Sequence, residues 1–199
     1  MDKIGVVNAR FQVLHLKHME YILAAKMRCD KLLIGITNPD SLHTHLSQYD
    51  LNRSTKAYNP LTYYERVQMI HLGMKEFNVP LDKYEIIPFP INTPEYILSY
   101  APKNGKYYMN IFDMWDEEKF AILKSLGLDV EVFSRKSSEE KGITGEKVRR
   151  LIALDEPWEE YVPKAVYKYL TANGLSERIK RLEQIRMEEK SQVIKDEED

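Results

Sequence analysis

The chain has 199 residues, 43% hydrophobic and 30% charged, which is the composition of an ordinary folded domain and excludes wholesale disorder. Its 29 basic and 31 acidic residues give a formal net charge of −2, so no global cationic field gathers nucleic acid, and an anionic ligand must be held by a local cluster. A single cysteine excludes an intramolecular disulfide, and no segment approaches the roughly 18 apolar residues of a membrane span. We therefore expect a cytoplasmic protein that contacts neither membrane nor nucleic acid.

Strand-like and helix-like patterns alternate along the first two thirds of the chain. Apolar runs predict strands over residues 4–8, 31–37, 84–88, 107–112 and 130–133. Helical spacing is found over residues 15–28, 62–77 and 117–126, and the last of these stops at Gly127. Thr62 and Glu65 have the spacing of a capping box, which marks the start of the second helix.

This alternation predicts an α/β fold, a Rossmann-like doubly wound parallel sheet with a helical C-terminal part. We expect a nucleotide-binding domain over residues 1–135, a helical part over 136–175 that completes the site, and a charged helical tail over 176–199. Ligands of such sheets bind at the carboxyl ends of the strands.

Two stretches interrupt the pattern. Residues 38–60 form a polar connection longer than most α/β loops, which indicates either a functional lid or a disordered segment. The tail after Ser176 keeps a narrow apolar stripe at Ile179, Leu182 and Ile185. A solvated helix that packs lightly on its own domain is the simpler interpretation of this stripe, and an oligomerisation helix is the other.

The strongest functional signal follows the first strand directly. His15 and His18 stand three residues apart at the predicted helix start, so both imidazoles lie on one face of that helix. Unpaired backbone N–H groups and the positive end of the helix dipole favour an anion there. Zinc is the rival interpretation, but zinc-binding helices more often place histidines at i and i+4 with an acidic third ligand. A purely structural pair is the third. The pattern favours phosphate.

The motifs then follow the order of a known family. Residues 8–18, NARFQVLHLKH, resemble the GRFQPxHxGH signature of the HIGH-motif nucleotidyltransferases, specifically the archaeal-type nicotinamide mononucleotide adenylyltransferases. Five later segments are similar to parts of that family in the same order: 33–36 (LIGI), 59–70 (NPLTYYERVQMI), 87–92 (IPFPIN), 143–152 (ITGEKVRRLI) and 158–163 (WEEYVP). Together the segments span about residues 4–170.

The resemblance implies a role for each matching residue. His15, His18 and Arg149 would be catalytic, the histidines contacting the phosphates of a nucleoside triphosphate. Arg10, Arg66 and Arg149 would clamp the triphosphate and the acceptor phosphate, since guanidinium binds phosphate bidentately. The expected nucleotide-binding residues are Asn8, Ala9, Arg10, Phe11, Lys17, Ile143, Thr144 and Glu146. The expected acceptor-binding residues are Arg66, Asn92 and Tyr96.

Departures from the family pattern concern the substrate more than the reaction. Lys17 stands where the family has glycine between its two histidines, and Ala9 where it has the leading glycine. Glu146 stands where the family has a threonine beside phosphate, so its charge needs compensation by Lys147 or a metal ion.

The implied reaction is attack of an acceptor phosphate oxygen on the α-phosphorus of a nucleoside triphosphate. Positioning and electrostatic stabilisation then supply catalysis, with Mg²⁺ as the cofactor and no dedicated protein cage for the metal. The expected partners are ATP and a phosphorylated small molecule such as nicotinamide mononucleotide, and we expect a homo-oligomer. A cytidylyltransferase acting on a phosphonate, phosphosugar or other phosphorylated metabolite is the alternative, and a non-catalytic nucleotide-binding regulator is a further one.

Overall fold

The computed structural model describes residues 1–39 and 56–198, and most of the 38–60 connection lies outside the described residues. Five parallel strands form one sheet in the order β3-β2-β1-β4-β5. The strands are β1 (Asp2–Ala9), β2 (Cys29–Thr37), β3 (Tyr84–Phe89), β4 (Lys106–Ile111) and β5 (Asp129–Arg135). The helices are α1 (Leu16–Lys26), α2 (Tyr63–Glu76), α3 (Ile97–Tyr100), α4 (Met114–Ser125), α5 (Gly145–Ala153), α6 (Lys164–Ala172) and α7 (Leu175–Glu198). The predicted α/β class and all five predicted strands are confirmed.

The order of the strands places a ligand crevice at the carboxyl end of β1. The chain builds outward from β1 through β2 to β3, and then crosses to β4 and β5 on the other side. Connections on the two sides of β1 therefore diverge, and the gap between the ends of β1 and β4 is the topological switch point at which such sheets bind ligands. The segment that leaves β1 at this point carries the two histidines.

The sheet is covered on both faces, as a parallel sheet requires. Val6 and Val7 are adjacent on β1, both fully buried, and each belongs to a different apolar cluster. The cluster around Val7 also includes Val148 of α5, Val166 of α6 and Trp158, which precedes α6. The C-terminal helices thus share a core with one face of the sheet.

The second helix begins as its sequence predicts. The Thr62 hydroxyl accepts a hydrogen bond from the Glu65 N–H at 3.2 Å, and the Glu65 carboxylate accepts one from the Thr62 N–H at 2.8 Å. The same carboxylate pairs with Arg178 of α7. Burial raises the pKa of Glu65, but the bonds to Arg178 and Thr62 outweigh it and leave the pKa below its usual value. The capping box therefore also attaches the C-terminal helix.

The first half of α7 packs firmly, and the expectation of a lightly packed, solvated tail is wrong for it. Ile179 and the carboxylate-bearing Glu183 are fully buried, and Leu175 is nearly so. Ile185, the third residue of the predicted stripe, is 45% exposed. The apolar stripe alone predicts less contact between α7 and the rest of the domain than the structure has, because a charged residue, Glu183, fills a core position. None of the helices among the described residues is long and apolar enough to cross a membrane.

Replacement of Thr62 by alanine tests the capping box. The change removes the acceptor for the Glu65 N–H, so the free energy of unfolding should fall by about 1 kcal/mol. Thr171→Ala is the matched control, because Thr171 is exposed on α6 and its hydroxyl donates to helix carbonyl oxygens instead of accepting from an N–H group at a helix start. Urea denaturation of the three proteins measures the difference, and equal losses in the two variants would contradict the assigned cap.

Candidate active site

A tight segment between β1 and α1 begins the site. Phe11 adopts a left-handed backbone conformation (φ 54°) that is uncommon for a bulky side chain, and its ring is fully buried. Next to it, Gln12 donates to the Leu61 carbonyl oxygen at 2.8 Å and accepts from the Leu61 N–H at 2.9 Å. These two bonds fix the segment to the chain that enters α2. A residue in a costly conformation, held by buried bonds on its neighbour, is typical of a pre-organised site.

The two histidines form the N-terminal cap of α1. The His15 ring is the N-cap and its Nδ1 accepts from the His18 N–H at 3.3 Å, while His18 Nδ1 accepts from the His15 N–H at 3.4 Å. The rings stack with their centroids 3.7 Å apart. A neutral imidazole that accepts at Nδ1 carries its proton on Nε2, so each ring has an N–H donor at its far nitrogen. The pair thus adds two donors to the positive end of the helix.

The start of α5 lies against the same segment. A Cβ atom on Gly145 would stand 2.5 Å from the Gln12 carbonyl oxygen and 3.2 Å from the Val13 nitrogen, so only glycine allows this approach. Thr144 is the N-cap, with its hydroxyl accepting from the Lys147 N–H at 3.1 Å. Two helix N-termini, those of α1 and α5, therefore meet at the carboxyl end of β1. The dipoles and unpaired N–H groups of both helix starts favour an anion at this end of β1.

Arg149, on α5, connects that helix to the segment between β1 and α1. Its side chain is 1% exposed, and its Nη1 donates to the Gln12 carbonyl oxygen. On its other side, Nε lies 3.5 Å from a carboxylate oxygen of Glu183 on α7. Burial lowers the pKa of Arg149, and the carboxylates of Glu183 and Glu146 oppose that shift. The Nη2 group has no hydrogen-bond partner among the described residues.

Arg66 is held by backbone carbonyl groups rather than left to face a ligand. Its Nη1 donates to the carbonyl oxygens of Thr37 at 2.7 Å and Arg10 at 3.0 Å, and its Nη2 donates to that of Asn38 at 2.7 Å. The side chain is 2% exposed, and burial lowers its pKa to about 10, which still leaves it charged at neutral pH. The guanidinium therefore organises the ends of β1 and β2. Its predicted contact with an acceptor phosphate stays a prediction.

The other predicted acceptor residues lie on the β3 side of the site. Asn92 donates from its amide to the Asn38 side-chain oxygen at 3.1 Å, which connects it to the backbone that Arg66 holds. Tyr96 lies farther along, on a short 3₁₀ turn, and is 56% exposed. Asn92 thus belongs to the same hydrogen-bonded group as Arg66, and the contacts described for the site do not include Tyr96.

The predicted nucleotide residues on β1 and before α5 have different surroundings. Asn8 is 4% exposed at the end of β1, and its side-chain oxygen has no hydrogen-bond partner among the described residues. The Phe11 ring contacts His18 edge-on with centroids 5.0 Å apart, so it supports the histidine. Ala9 and Ile143 are partly buried against the core. The role of each toward a nucleotide stays a prediction.

The two residues that depart from the family pattern each have a neighbour. The ammonium group of Lys17 lies 2.6 Å from the Glu20 carboxylate, and a Cβ atom on Gly142 would be 3.7 Å from its Cε. Lys17 thus stands between the histidine motif and the loop before α5. The Glu146 carboxylate lies 3.8 Å from Arg186 of α7. The cation expected beside Glu146 was Lys147, whose ammonium instead lies over the Tyr161 ring.

Several residues of the site have no clear signal in the sequence. Gln12 and Gly145 lie inside recognisable motifs, where a motif glycine could have indicated a close backbone approach. Glu183 and Arg186 stand among many charged residues of the tail, and only burial distinguishes them. Among the described residues there is no group of three or more His, Cys, Asp or Glu side chains placed to hold a metal ion.

Comparison with known proteins identifies close relatives. No family model matches the chain. It is 40% identical over 176 residues to the phosphonoformate cytidylyltransferase of Streptomyces viridochromogenes, covering 88% of this chain and 95% of that protein. It is 30% identical over 183 residues to the nicotinamide-nucleotide adenylyltransferase of Saccharolobus solfataricus, covering 89% and 95% respectively.

Solved structures share the fold. A bifunctional NMN adenylyltransferase/ADP ribose pyrophosphatase from Francisella tularensis superposes with a TM-score of 0.70 at 15% identity over 98% of this chain. The chain spans 57% of that bifunctional protein. A second structure of it, complexed with AMP and a manganese ion, gives a TM-score of 0.68. At this identity the likeness extends to the fold alone.

Gly145→Ala tests the contact between the two motif segments. The added methyl group meets backbone atoms of Gln12, which cannot rotate away, so the start of α5 must shift. We expect the catalytic efficiency to fall about a hundredfold, as for other misplacements of about 1 Å at catalytic sites. Arg150→Ala, an exposed change on the same helix, is the control and should leave the efficiency within twofold. An unaltered Gly145→Ala enzyme would contradict the close contact.

Arg66→Lys separates a framework role from a direct phosphate contact. Arg66 donates to four carbonyl oxygens, since its Nε also bonds to that of Thr62 at 3.2 Å. A lysine has three N–H donors on one atom and cannot reach all four, so we expect the ligand-free protein to lose about 2–3 kcal/mol of stability. Arg181→Lys, at an exposed position of α7, should be neutral. An unchanged melting temperature together with a raised KM for the acceptor would instead assign Arg66 to the ligand.

Proposed function

We propose that this chain, which belongs to the HIGH-motif nucleotidyltransferase superfamily, transfers CMP from CTP to a small phosphonate or phosphate acceptor and releases pyrophosphate. The chain is a nucleotidyltransferase, since its relatives across nearly the whole length are enzymes of that class. The choice of CTP rests on one observation, the similarity to the phosphonoformate cytidylyltransferase, which exceeds that to the adenylyltransferase from Saccharolobus solfataricus. The non-catalytic alternative is not carried further, because both relatives are enzymes.

The geometry supports a triphosphate between the starts of α1 and α5. An ionised acceptor oxygen would attack the α-phosphorus and form the new P–O bond, while the bond from the α-phosphorus to the oxygen bridging it to the β-phosphorus breaks. Pyrophosphate leaves with that bridging oxygen and the bonding electrons. Because the acceptor is already ionised, the step needs neither a protein nucleophile nor a general base. The Nε2–H donors of His15 and His18 would stabilise charge on the phosphoryl oxygens, a role that requires them to be fixed in advance.

The acceptor would lie on the β2–β3 side of the triphosphate. Arg66 holds the Asn38 carbonyl group, and the Asn38 side chain accepts from the Asn92 amide. In this arrangement Arg66 acts on the acceptor through the backbone that it positions, and Asn92 supplies an amide close to the same place. A phosphonate that also carries a carboxylate would present two anionic groups to polar side chains and backbone N–H groups.

A divalent cation such as Mg²⁺ would enter with the nucleotide. Magnesium retains several waters and takes phosphate oxygens more readily than an all-protein cage. When bound, the ion would neutralise polyphosphate charge. The histidines and helix N-termini would orient the polyphosphate.

A second candidate is adenylyl transfer from ATP to nicotinamide mononucleotide. It is favoured by the 30% identity to the Saccharolobus solfataricus enzyme, whose length the chain covers almost completely. The two candidates share the phosphate site and differ in the base and the acceptor. A direct assay therefore separates them without any assumption about the shared chemistry.

A substrate panel decides between the candidates. Each of the four nucleoside triphosphates is combined with Mg²⁺ and either phosphonoformate or nicotinamide mononucleotide, and pyrophosphate release is measured. We expect release with CTP and phosphonoformate, and a loss of about 10²–10³ in kcat for His18→Ala because a preformed donor is removed. Release with ATP and nicotinamide mononucleotide alone would contradict the proposal and establish the second candidate.

A further inference from the structure

A buried charge cluster lies where α7 crosses α5, directly behind the proposed phosphate site. Glu183 is fully buried at its centre, with Arg149 on one side and Arg186 on the other. Arg186 donates from Nε to a Glu183 carboxylate oxygen at 2.9 Å and lies 3.8 Å from Glu146. The ring of Tyr58 also packs against the cluster. Its centroid lies 5.4 Å from Cζ of Arg149 and 5.1 Å from Cζ of Arg186.

The cluster is incompletely satisfied on the side of Arg149. The Nε group of Arg149 and the nearer oxygen of Glu183 form a long ion pair of 3.5 Å, and Nη2 of the same arginine has no hydrogen-bond partner among the described residues. Buried charged atoms without partners are rare and costly. Arg149 is also the residue that contacts the β1–α1 segment through the Gln12 carbonyl oxygen. An unpaired donor at this place indicates an anionic ligand for Arg149.

We propose that Glu183 is the internal counter-ion of Arg149 and sets how tightly the site holds polyphosphate. The inference rests on the proposed function, because it takes the arginine to bind a phosphate of the nucleotide or of pyrophosphate. Without ligand, the Glu183 carboxylate compensates the buried charge of Arg149. When a polyphosphate binds, it shares the same guanidinium and meets a carboxylate of like charge nearby.

The loss of the Glu183 charge affects the ligand-free protein and the polyphosphate complex differently. Removal of the Glu183 charge leaves Arg149 buried and uncompensated, which destabilises the ligand-free protein. The complex loses less stability than the ligand-free protein, since a phosphate also compensates the charge of the guanidinium. Neutralisation of Glu183 therefore strengthens polyphosphate binding while it weakens the empty fold. A carboxylate that only orients Arg149 would act in the opposite direction, because a disoriented arginine binds phosphate less well.

The consequence for turnover concerns product release. Arg149 and two helix N-termini without a counter-charge would retain pyrophosphate strongly. A carboxylate built into α7 weakens that binding and lets the product leave. The C-terminal helix thus contributes a residue whose charge tunes phosphate affinity through Arg149, without contact between Glu183 and the reacting atoms.

Calorimetric titration of the full chain with inorganic tripolyphosphate and Mg²⁺ tests the proposal. We expect Glu183→Gln to bind tripolyphosphate about tenfold more tightly than the wild type, since a charge a few ångströms away has an effect of this order. Its melting temperature without ligand should be lower. Glu183→Asp retains the charge and should bind within about twofold of the wild type. Glu177→Gln, at an exposed position on the same helix, is the control and should change neither quantity.

The probe carries no base, so the result is independent of the choice between CTP and ATP. If no nucleoside triphosphate is turned over, the proposed function fails while the titration remains interpretable. Glu183→Met, which removes both the charge and its hydrogen-bonding need, is used if Glu183→Gln does not fold. The proposal is overturned if neither variant binds tripolyphosphate more tightly than the wild type.

Discussion

The hydrogen bond from Arg149 to the Gln12 carbonyl oxygen connects residues 137 positions apart, and the arrangement of the site depends on it. Gln12 lies in the tight segment after β1 and is fixed to Leu61 by two side-chain bonds. Gly145, one turn before Arg149, lets α5 approach the same carbonyl group. Two motifs that are distant in the sequence therefore become one surface with two helix N-termini. The histidines on α1 would face a phosphate only because α5 completes the other side.

Buried arginines build the framework of this site as well as its charge. Arg66 and Arg149 each donate to backbone carbonyl groups of the segments that surround the carboxyl end of β1. Burial lowers the pKa of both, yet guanidinium stays ionised, so the positive potential is fixed before a ligand arrives. Such pre-organised charge is the main device by which an enzyme without a protein nucleophile accelerates group transfer. The carboxylate of Glu183 limits that potential from the opposite side.

The sequence predicted the sheet, which the structure confirms, and it predicted an anion site at the first helix start; both interpretations depend on local patterns. Apolar periodicity indicates the strands, the spacing of Thr62 and Glu65 indicates a cap, and the two histidines directly follow a strand. It did not predict that the guanidinium of Arg66 bonds to backbone carbonyl groups, since motif and residue type specify a charge and not its partner. Nor did it distinguish Glu183 from the other acidic residues of the tail, because burial there arises from packing between α5 and α7. Acceptor and base preference depend on loops, for which periodicity has no information.

The proposed function requires that a triphosphate binds between the starts of α1 and α5. A crystal structure of the complex with a non-hydrolysable CTP analogue and Mg²⁺ tests it most directly. We expect phosphate oxygens within hydrogen-bond distance of Nε2 of His18 and Nη2 of Arg149, with the Arg149–Gln12 bond retained. A triphosphate bound elsewhere, or an Arg149 side chain that contacts no phosphate, would contradict it.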